Sequence, residues 1–99
     1  MLSTSSVLLF LAAVSSAAAQ QAANCSVKGY DTGKQPAFLT NPNITTATAC
    51  KSFCADTTYD KCLSFAVGPI CLLYNVTVIG YVNVVPASPY TFYDAACKV

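Results

Sequence analysis

Residues 50–74, CKSFCADTTYDKCLSFAVGPICLLY, decide the fold of this chain because they hold four of its six cysteines. Small exported chains use disulfide crosslinks to compensate for a modest hydrophobic core. All six cysteines of the 99-residue chain lie downstream of an apolar N-terminal stretch. The sequence therefore predicts a secreted domain whose fold is held by three disulfides.

A short helix is predicted over residues 47–56, ATACKSFCAD. A threonine hydroxyl can accept a hydrogen bond from an amide of the first helical turn, so Thr45 or Thr46 is the expected N-cap. Cys50 and Cys54 lie four residues apart and therefore share one face of this helix. Their sulfur atoms cannot easily bond each other across one turn, but they can reach two different points on an adjacent sheet.

Two strands are predicted after the helix, at residues 62–67 and 70–74, with Gly68 and Pro69 between them. If these two residues form the whole turn, side chains alternate so that the cysteines and the small residues share the face under the helix. The face under the helix then carries Cys62, Ser64, Ala66, Cys71 and Leu73. The opposite face carries Leu63, Phe65, Val67, Ile70, Leu72 and Tyr74. A slip of the register by one residue would reverse this assignment.

The rest of the mature chain gives weaker signals. Residues 20–40 are interpreted as an irregular segment with a short strand at 25–27, and residues 41–43 as a turn. β-branched and aromatic side chains indicate one or two further strands, at 76–85 and 90–94. The predicted fold class is therefore α+β, with one short helix packed on a small antiparallel sheet and three disulfides.

The N-terminus indicates export from the cell. Residues 7–14, VLLFLAAV, form an apolar run that is followed by small residues ending at Ala19. This order is typical of a secretory signal peptide, which we assign to residues 1–19, leaving 20–99 as a single domain with its core at 25–97. The alternative is a membrane anchor, which is disfavoured because a spanning helix needs about 20 apolar residues. We expect an extracellular protein with no membrane partner after cleavage.

Four segments, taken in order, resemble the PAN/Apple domain family, in particular the single-domain versions in small secreted fungal proteins. The segments are Cys50-x3-Cys54, Cys62-Leu63-Ser64-Phe65, Cys71-Leu72-Leu73-Tyr74, and Ser88-Pro89-Tyr90-Thr91-Phe92-Tyr93-Asp94 before Cys97. The resemblance covers nearly the whole mature chain and agrees in order, spacing and flanking aromatic residues.

The six cysteines on their own leave the disulfide pairing open. The PAN/Apple resemblance implies a nested arrangement, which would also tie together the two ends of the domain. The implied pairs are Cys25 with Cys97, Cys50 with Cys71, and Cys54 with Cys62.

Charge and composition disfavour several classes of function. The five lysines and four aspartates are spread along the chain with no run of either sign, so no basic face for nucleic acid is expected. The chain has no His, Glu or Arg, and oxidised cysteines offer no thiol for catalysis. A zinc site and a redox pair are disfavoured by the missing His and the missing C-x-x-C spacing. We therefore expect no enzyme, no cofactor and no metal.

The aspartates offer one imaginable acid pair, Asp56 with Asp60. Two carboxylates can flank a scissile glycosidic bond, but a domain of this size cannot surround a sugar with a deep cleft. Solvated turn residues after the helix are the favoured interpretation of this pair. Asp94 is expected to be a structural hydrogen-bond acceptor near the last strand.

Two sequons predict N-glycosylation, at Asn43 and at Asn75. A third sequon begins at Asn24, but glycosylation is disfavoured there because its middle residue, Cys25, is expected to form a disulfide. Chance occurrence in a chain rich in threonine is the alternative for each site.

Five tyrosines are candidate ligand contacts, because a flat apolar ring with a hydroxyl suits both protein contacts and stacking on sugar rings. They are Tyr30, Tyr59, Tyr81, Tyr90 and Tyr93. For any one of them, ordinary packing is the alternative.

The leading functional hypothesis is a secreted, non-catalytic binding module at a cell wall or host surface. PAN/Apple domains mediate protein or carbohydrate contacts, so the resemblance implies an extracellular protein or polysaccharide as partner. No binding residue of the family is transferred to this chain. The alternative is a structural or effector-type small secreted cysteine-rich protein without glycan recognition, and an enzyme is the least favoured class.

Overall fold

The computed structural model describes residues 23–99, so the predicted signal peptide at 1–19 lies outside the described residues. The described chain contains six strands and one helix. In chain order they are β1 (Val27–Asp31), β2 (Leu39–Asn41), α1 (Ala47–Asp56), β3 (Ser64–Val67), β4 (Cys71–Tyr74), β5 (Val82–Val84) and β6 (Thr91–Asp94). The predicted α+β class is confirmed.

The six strands form one antiparallel sheet in the order β2-β4-β3-β6-β1-β5. The last strand therefore lies between the first and the third. Strand β2 was not predicted, the strand expected at 25–27 lies at Val27–Asp31, and the stretch 76–85 is a strand only at Val82–Val84.

Helix α1 has the predicted bounds, because its start and its buried face are both encoded locally. The Thr46 hydroxyl accepts a hydrogen bond from the Ala49 amide at 3.3 Å, which satisfies one amide of the first turn. Cys50 and Cys54 are the buried residues of the helix. The helix packs against β3 and, to a smaller extent, β4.

The β3–β4 hairpin corrects the predicted register by one residue. Val67 lies opposite Cys71, so residues 68–70 form a three-residue connection instead of a two-residue turn. A two-residue type I′ turn requires positive φ at both central residues, and proline fixes φ near −65°, so Pro69 cannot occupy it. Gly68 is required for a further reason: a Cβ atom there would lie 2.4 Å from the Pro89 carbonyl oxygen.

The change of register reverses the predicted faces of β3, whereas the predicted faces of β4 are confirmed. Directly paired residues share a face, so Phe65 and Val67 join Cys71 and Leu73 under the helix. Ser64 and Ala66 lie on the other side with Leu72 and Tyr74. The core between helix and sheet contains Cys50, Cys54, Phe65, Val67, Cys71 and Leu73. The core on the opposite face contains Ala66, Tyr74, Val78, Tyr81 and Phe92. Small residues are not what lets the helix approach, because Phe65 and Val67 fill that space.

Three disulfides are present, as predicted, and no described cysteine is free. They join Cys25 with Cys97, Cys50 with Cys71, and Cys54 with Cys62, the pairs that the PAN/Apple resemblance implies. Two of them attach α1 to the sheet side of the molecule. The third links the segment before β1 to the segment after β6, next to the centre of the sheet.

Candidate binding surface

One half of the helix-side face of the sheet has no helix over it within residues 23–99. Helix α1 packs on β3 and β4, whereas β6, β1 and β5 continue the same face beyond it. Strand pairing sets Lys28 beside Thr91 and Tyr30 beside Asn83, and Thr91 shares its face with the helix-side Val67. We call this surface the open face, and its residues are Lys28, Tyr30, Asn83, Thr91 and Tyr93.

Tyr30 is the most prominent side chain of the open face, with 45% of its surface exposed. Its ring meets the half-buried ring of Tyr90 edge to face, with centroids 6.5 Å apart. Tyr90 is itself packed against the core of the opposite face, so it is a firm support. An aromatic edge contact orients the Tyr30 ring while leaving part of it available to solvent.

Tyr93 lies farther along β6 on the open face and is half-buried. Its ring stacks on the buried Phe65 at a centroid distance of 5.2 Å and an interplanar angle of 18°. One face of this ring is therefore occupied by the core. Tyr93 is therefore a fixed residue at the edge of the open face, and the ring face that contacts Phe65 cannot stack on a ligand.

Tyr59 lies apart from the other candidates, in the loop between α1 and β3. It is 81% exposed, and within residues 23–99 no aromatic ring packs against it. The structure therefore brings Tyr30, Tyr90 and Tyr93 to neighbouring strands and leaves Tyr59 alone in a loop.

The ligand-contact prediction for Tyr81 is corrected, because this residue is only 4% exposed. Its ring packs against Tyr74 at 5.0 Å and against Phe92 at 6.1 Å. Its hydroxyl lies 2.6 Å from the Ser64 hydroxyl, whose own proton is donated to the Val76 carbonyl, so Tyr81 donates to Ser64. Burial raises the pKa of Tyr81 well above its usual range. Tyr81 is a core residue.

Two aspartates anchor buried polar groups. Asp94 is the structural acceptor that the sequence predicts, since its carboxylate accepts from the amides of Asn24 at 2.8 Å and Val78 at 2.7 Å. Asp31 accepts from the Tyr74 hydroxyl at 2.8 Å. Burial, and next this hydrogen bond, raise the pKa of the Tyr74 hydroxyl. Both carboxylates hold the fold together.

Asp56 and Asp60 are both exposed near the end of α1. Asp60 accepts hydrogen bonds from the Lys61 amide at 2.7 Å and from the Asn75 side-chain amide at 3.0 Å. These contacts make Asp60 a loop-ordering residue, in line with the interpretation of the pair as turn residues.

Two shallow grooves lie at another place, around the segment that follows β4. Their volumes are about 430 and 560 Å³, and both are lined by Leu63, Thr77 and Ile79. Ile79 is 67% exposed between them. Sequence reasoning missed these grooves because their walls come from segments that are far apart in the chain and carry no shared motif.

Within 23–99, no group of three or more His, Cys, Asp or Glu side chains is placed to hold a metal ion. No helix in this part of the chain is long and apolar enough to cross a membrane.

Comparisons of the chain with protein-family models, with curated proteins and with solved structures found no match. Function is therefore inferred from the open face, the grooves and the sequence.

Proposed function

We propose that this chain is a secreted, non-catalytic binding module that contacts protein or carbohydrate outside the cell, at a cell wall or host surface. The observation that carries the proposal is the Tyr30 ring, exposed on the open face and braced by Tyr90. A pre-oriented aromatic ring binds flat apolar surfaces, including the faces of sugar rings, with little loss of side-chain entropy.

The polar surroundings of Tyr30 support the same function. Lys28 and Asn83 are exposed on the open face, and Thr91 is half-buried between them and the core. An ammonium group, an amide and a hydroxyl are donors and acceptors suited to sugar hydroxyls and to peptide groups. A ring with such a rim resembles the aromatic anchor and polar border of protein recognition sites.

Export is part of the proposal. Three disulfides in a chain of this size are compatible with an extracellular location, because such crosslinks persist in oxidising compartments. The apolar run before Ala19 and the sequons at Asn43 and Asn75 support a secretory route with N-glycosylation.

We assign the domain to the PAN/Apple type as part of this proposal. The support is the order and spacing of the cysteine and aromatic segments, together with the nested disulfide pairs and the helix on an antiparallel sheet.

The proposal is tested by screening the purified secreted protein on a glycan array and by pull-down from cell-wall and host-surface extracts. The variant is Tyr30→Ala on the open face, and its matched control is Tyr59→Ala. The Tyr59 ring is more exposed than the Tyr30 ring, but no aromatic ring packs against it among residues 23–99. We expect Tyr30→Ala to weaken binding by about two- to tenfold, the value of one aromatic contact, and Tyr59→Ala to bind as the wild type.

Equal binding by the wild type and Tyr30→Ala would contradict the assignment of the site. If the array yields no ligand while one protein is captured, the module recognises protein and the carbohydrate arm fails. If neither yields a ligand, the alternative of a structural or effector-type protein without glycan recognition replaces the proposal.

A further inference from the structure

One sequon lies on the larger of the two grooves. Asn75 and Thr77, its first and third residues, both line the groove of about 560 Å³, together with Ile79. Asn75 and Thr77 are exposed just after β4 ends at Tyr74. A glycan attached to Asn75 would therefore start at the border of this groove.

The Asn75 side chain is oriented by a hydrogen bond that needs only one of its two amide hydrogens. Its amide nitrogen donates to Asp60 Oδ2 at 3.0 Å, and this bond uses one of the two amide hydrogens. The second hydrogen has no acceptor among residues 23–99. A glycosylated Asn75 keeps one N–H group, which is the number that the bond to Asp60 requires.

We propose that Asn75 carries an N-linked glycan and that the first sugar of this glycan packs in the groove, over Ile79. The inference rests on the proposed export of the chain, since the transfer takes place in the secretory route. The donor is an oligosaccharide on a polyisoprenyl pyrophosphate. Its bond between sugar C1 and the pyrophosphate oxygen breaks, C1 bonds to Asn75 Nδ2, one amide proton is lost, and polyisoprenyl pyrophosphate leaves.

The chemistry of the groove fits an N-acetylhexosamine. Ile79 and Leu63 supply apolar surface for the flat face of the ring and for the acetyl methyl group. Lys34 and Gln35 on the same groove supply donors for its hydroxyl and carbonyl oxygens. A sugar at this position would cover Ile79, a large apolar side chain that is 67% exposed.

The sequon at Asn43 has different surroundings. It lies in the turn between β2 and α1, where the Asn43 amide donates to Asn41 Oδ1 at 2.9 Å. Neither of the two grooves is lined by Asn43 or Thr45. The structural role proposed for a glycan therefore belongs to Asn75.

Occupancy is tested with the full chain expressed in a eukaryotic secretory host, by peptide mapping after an amidase converts glycosylated Asn to Asp. The matched variants are Thr77→Ala, which destroys the sequon, and Thr77→Ser, which keeps it. We expect conversion of Asn75 in the wild type and Thr77→Ser, and none in Thr77→Ala. Unmodified Asn75 in wild-type protein from both medium and cells overturns the inference. Presence of the protein in the medium reports on export separately, and the array reports on binding.

Packing of the sugar is tested by replacing Ile79. We expect Ile79→Ala to lower the Tm of glycosylated protein by about 4 °C and to have less than about half this effect in the Thr77→Ala background. Val84→Ala is the control, because Val84 is 71% exposed but lines neither groove, and its effect is expected to be the same in both backgrounds. An equal loss for Ile79→Ala with and without the glycan overturns the packing.

Discussion

The two disulfides that hold α1 are expected to differ in their contribution to stability. The double variants Cys50→Ala/Cys71→Ala and Cys54→Ala/Cys62→Ala each remove one of them without leaving a free thiol. The first closes a separation of 21 residues and the second a separation of 8. In the chain-entropy model, their closures contribute about 3.3 and about 2.5 kcal/mol to the free energy of unfolding.

Burial increases this difference. Cys50 and Cys71 are fully buried under the helix, whereas Cys62 is only half-buried. Each sulfur lost from a filled core leaves a cavity that costs about 1 kcal/mol, as a buried methyl group does. The expected losses are therefore about 5.3 kcal/mol for the first variant, which removes two buried sulfurs, and about 3.5 kcal/mol for the second, which removes one buried sulfur at Cys54. The total free energy of unfolding of a domain of this length is about 4–12 kcal/mol.

The assay is urea unfolding of the secreted proteins without reductant, followed by far-UV circular dichroism. With a slope near 1 kcal/mol per molar urea, the two midpoints are expected to lie about 2 M apart, with Cys50→Ala/Cys71→Ala the less stable. Equal midpoints, or a lower midpoint for Cys54→Ala/Cys62→Ala, would show that loop length and burial do not determine the contributions of these two disulfides.

Further predictions concern the buried polar groups. Ser64→Ala is expected to lower the free energy of unfolding in urea by about 1–3 kcal/mol, because the Tyr81 hydroxyl loses its acceptor. Tyr81→Phe is expected to lower it by about 1 kcal/mol or less, because the Ser64 hydroxyl still donates to the Val76 carbonyl. The reverse order would contradict the assignment of Tyr81 as the donor. Asp94→Asn is expected to cost about 2 kcal/mol and to speed hydrogen exchange of the Asn24 amide, and unchanged exchange would exclude the anchoring role. Stability is expected to fall as the pH rises above 10, the ordinary pKa of tyrosine. At such pH values the unfolded chain binds fewer protons than the folded chain, because burial raises the pKa values of Tyr74 and Tyr81 in the folded state. The free energy of unfolding then falls by up to about 1.4 kcal/mol per pH unit for each of these residues. Tyr74→Phe should make this slope shallower, measured by rapid pH jump before disulfide exchange sets in, and an unchanged slope in this variant would be inconsistent with the buried-hydroxyl account.

The helix could be predicted because its signals are local. Thr46 before the first turn and two cysteines four residues apart suffice to give its start and its buried face. The strands near it could be located but not registered, because the register depends on how many residues the turn around Pro69 uses. β2 was missed because a three-residue strand is too short for an alternating pattern.

The candidate surface depends on long-range pairing that no local pattern contains. Tyr30 and Tyr81 look alike in the sequence, yet one lies on the open face and the other in the core between Tyr74 and Phe92. Tyr30 lies on the part of the sheet that continues beyond α1, because β6 inserts between β1 and β3. Tyr81 packs in the core on the opposite face of the sheet.

The proposed function depends above all on binding at the open face. The most direct test is an amide chemical-shift map of ¹⁵N-labelled protein titrated with the strongest binder from the array or the pull-down. The largest shifts are expected at Lys28, Tyr30 and Asn83. Shifts confined to the loop around Tyr59, or to the groove residues beside Ile79, would contradict this proposal.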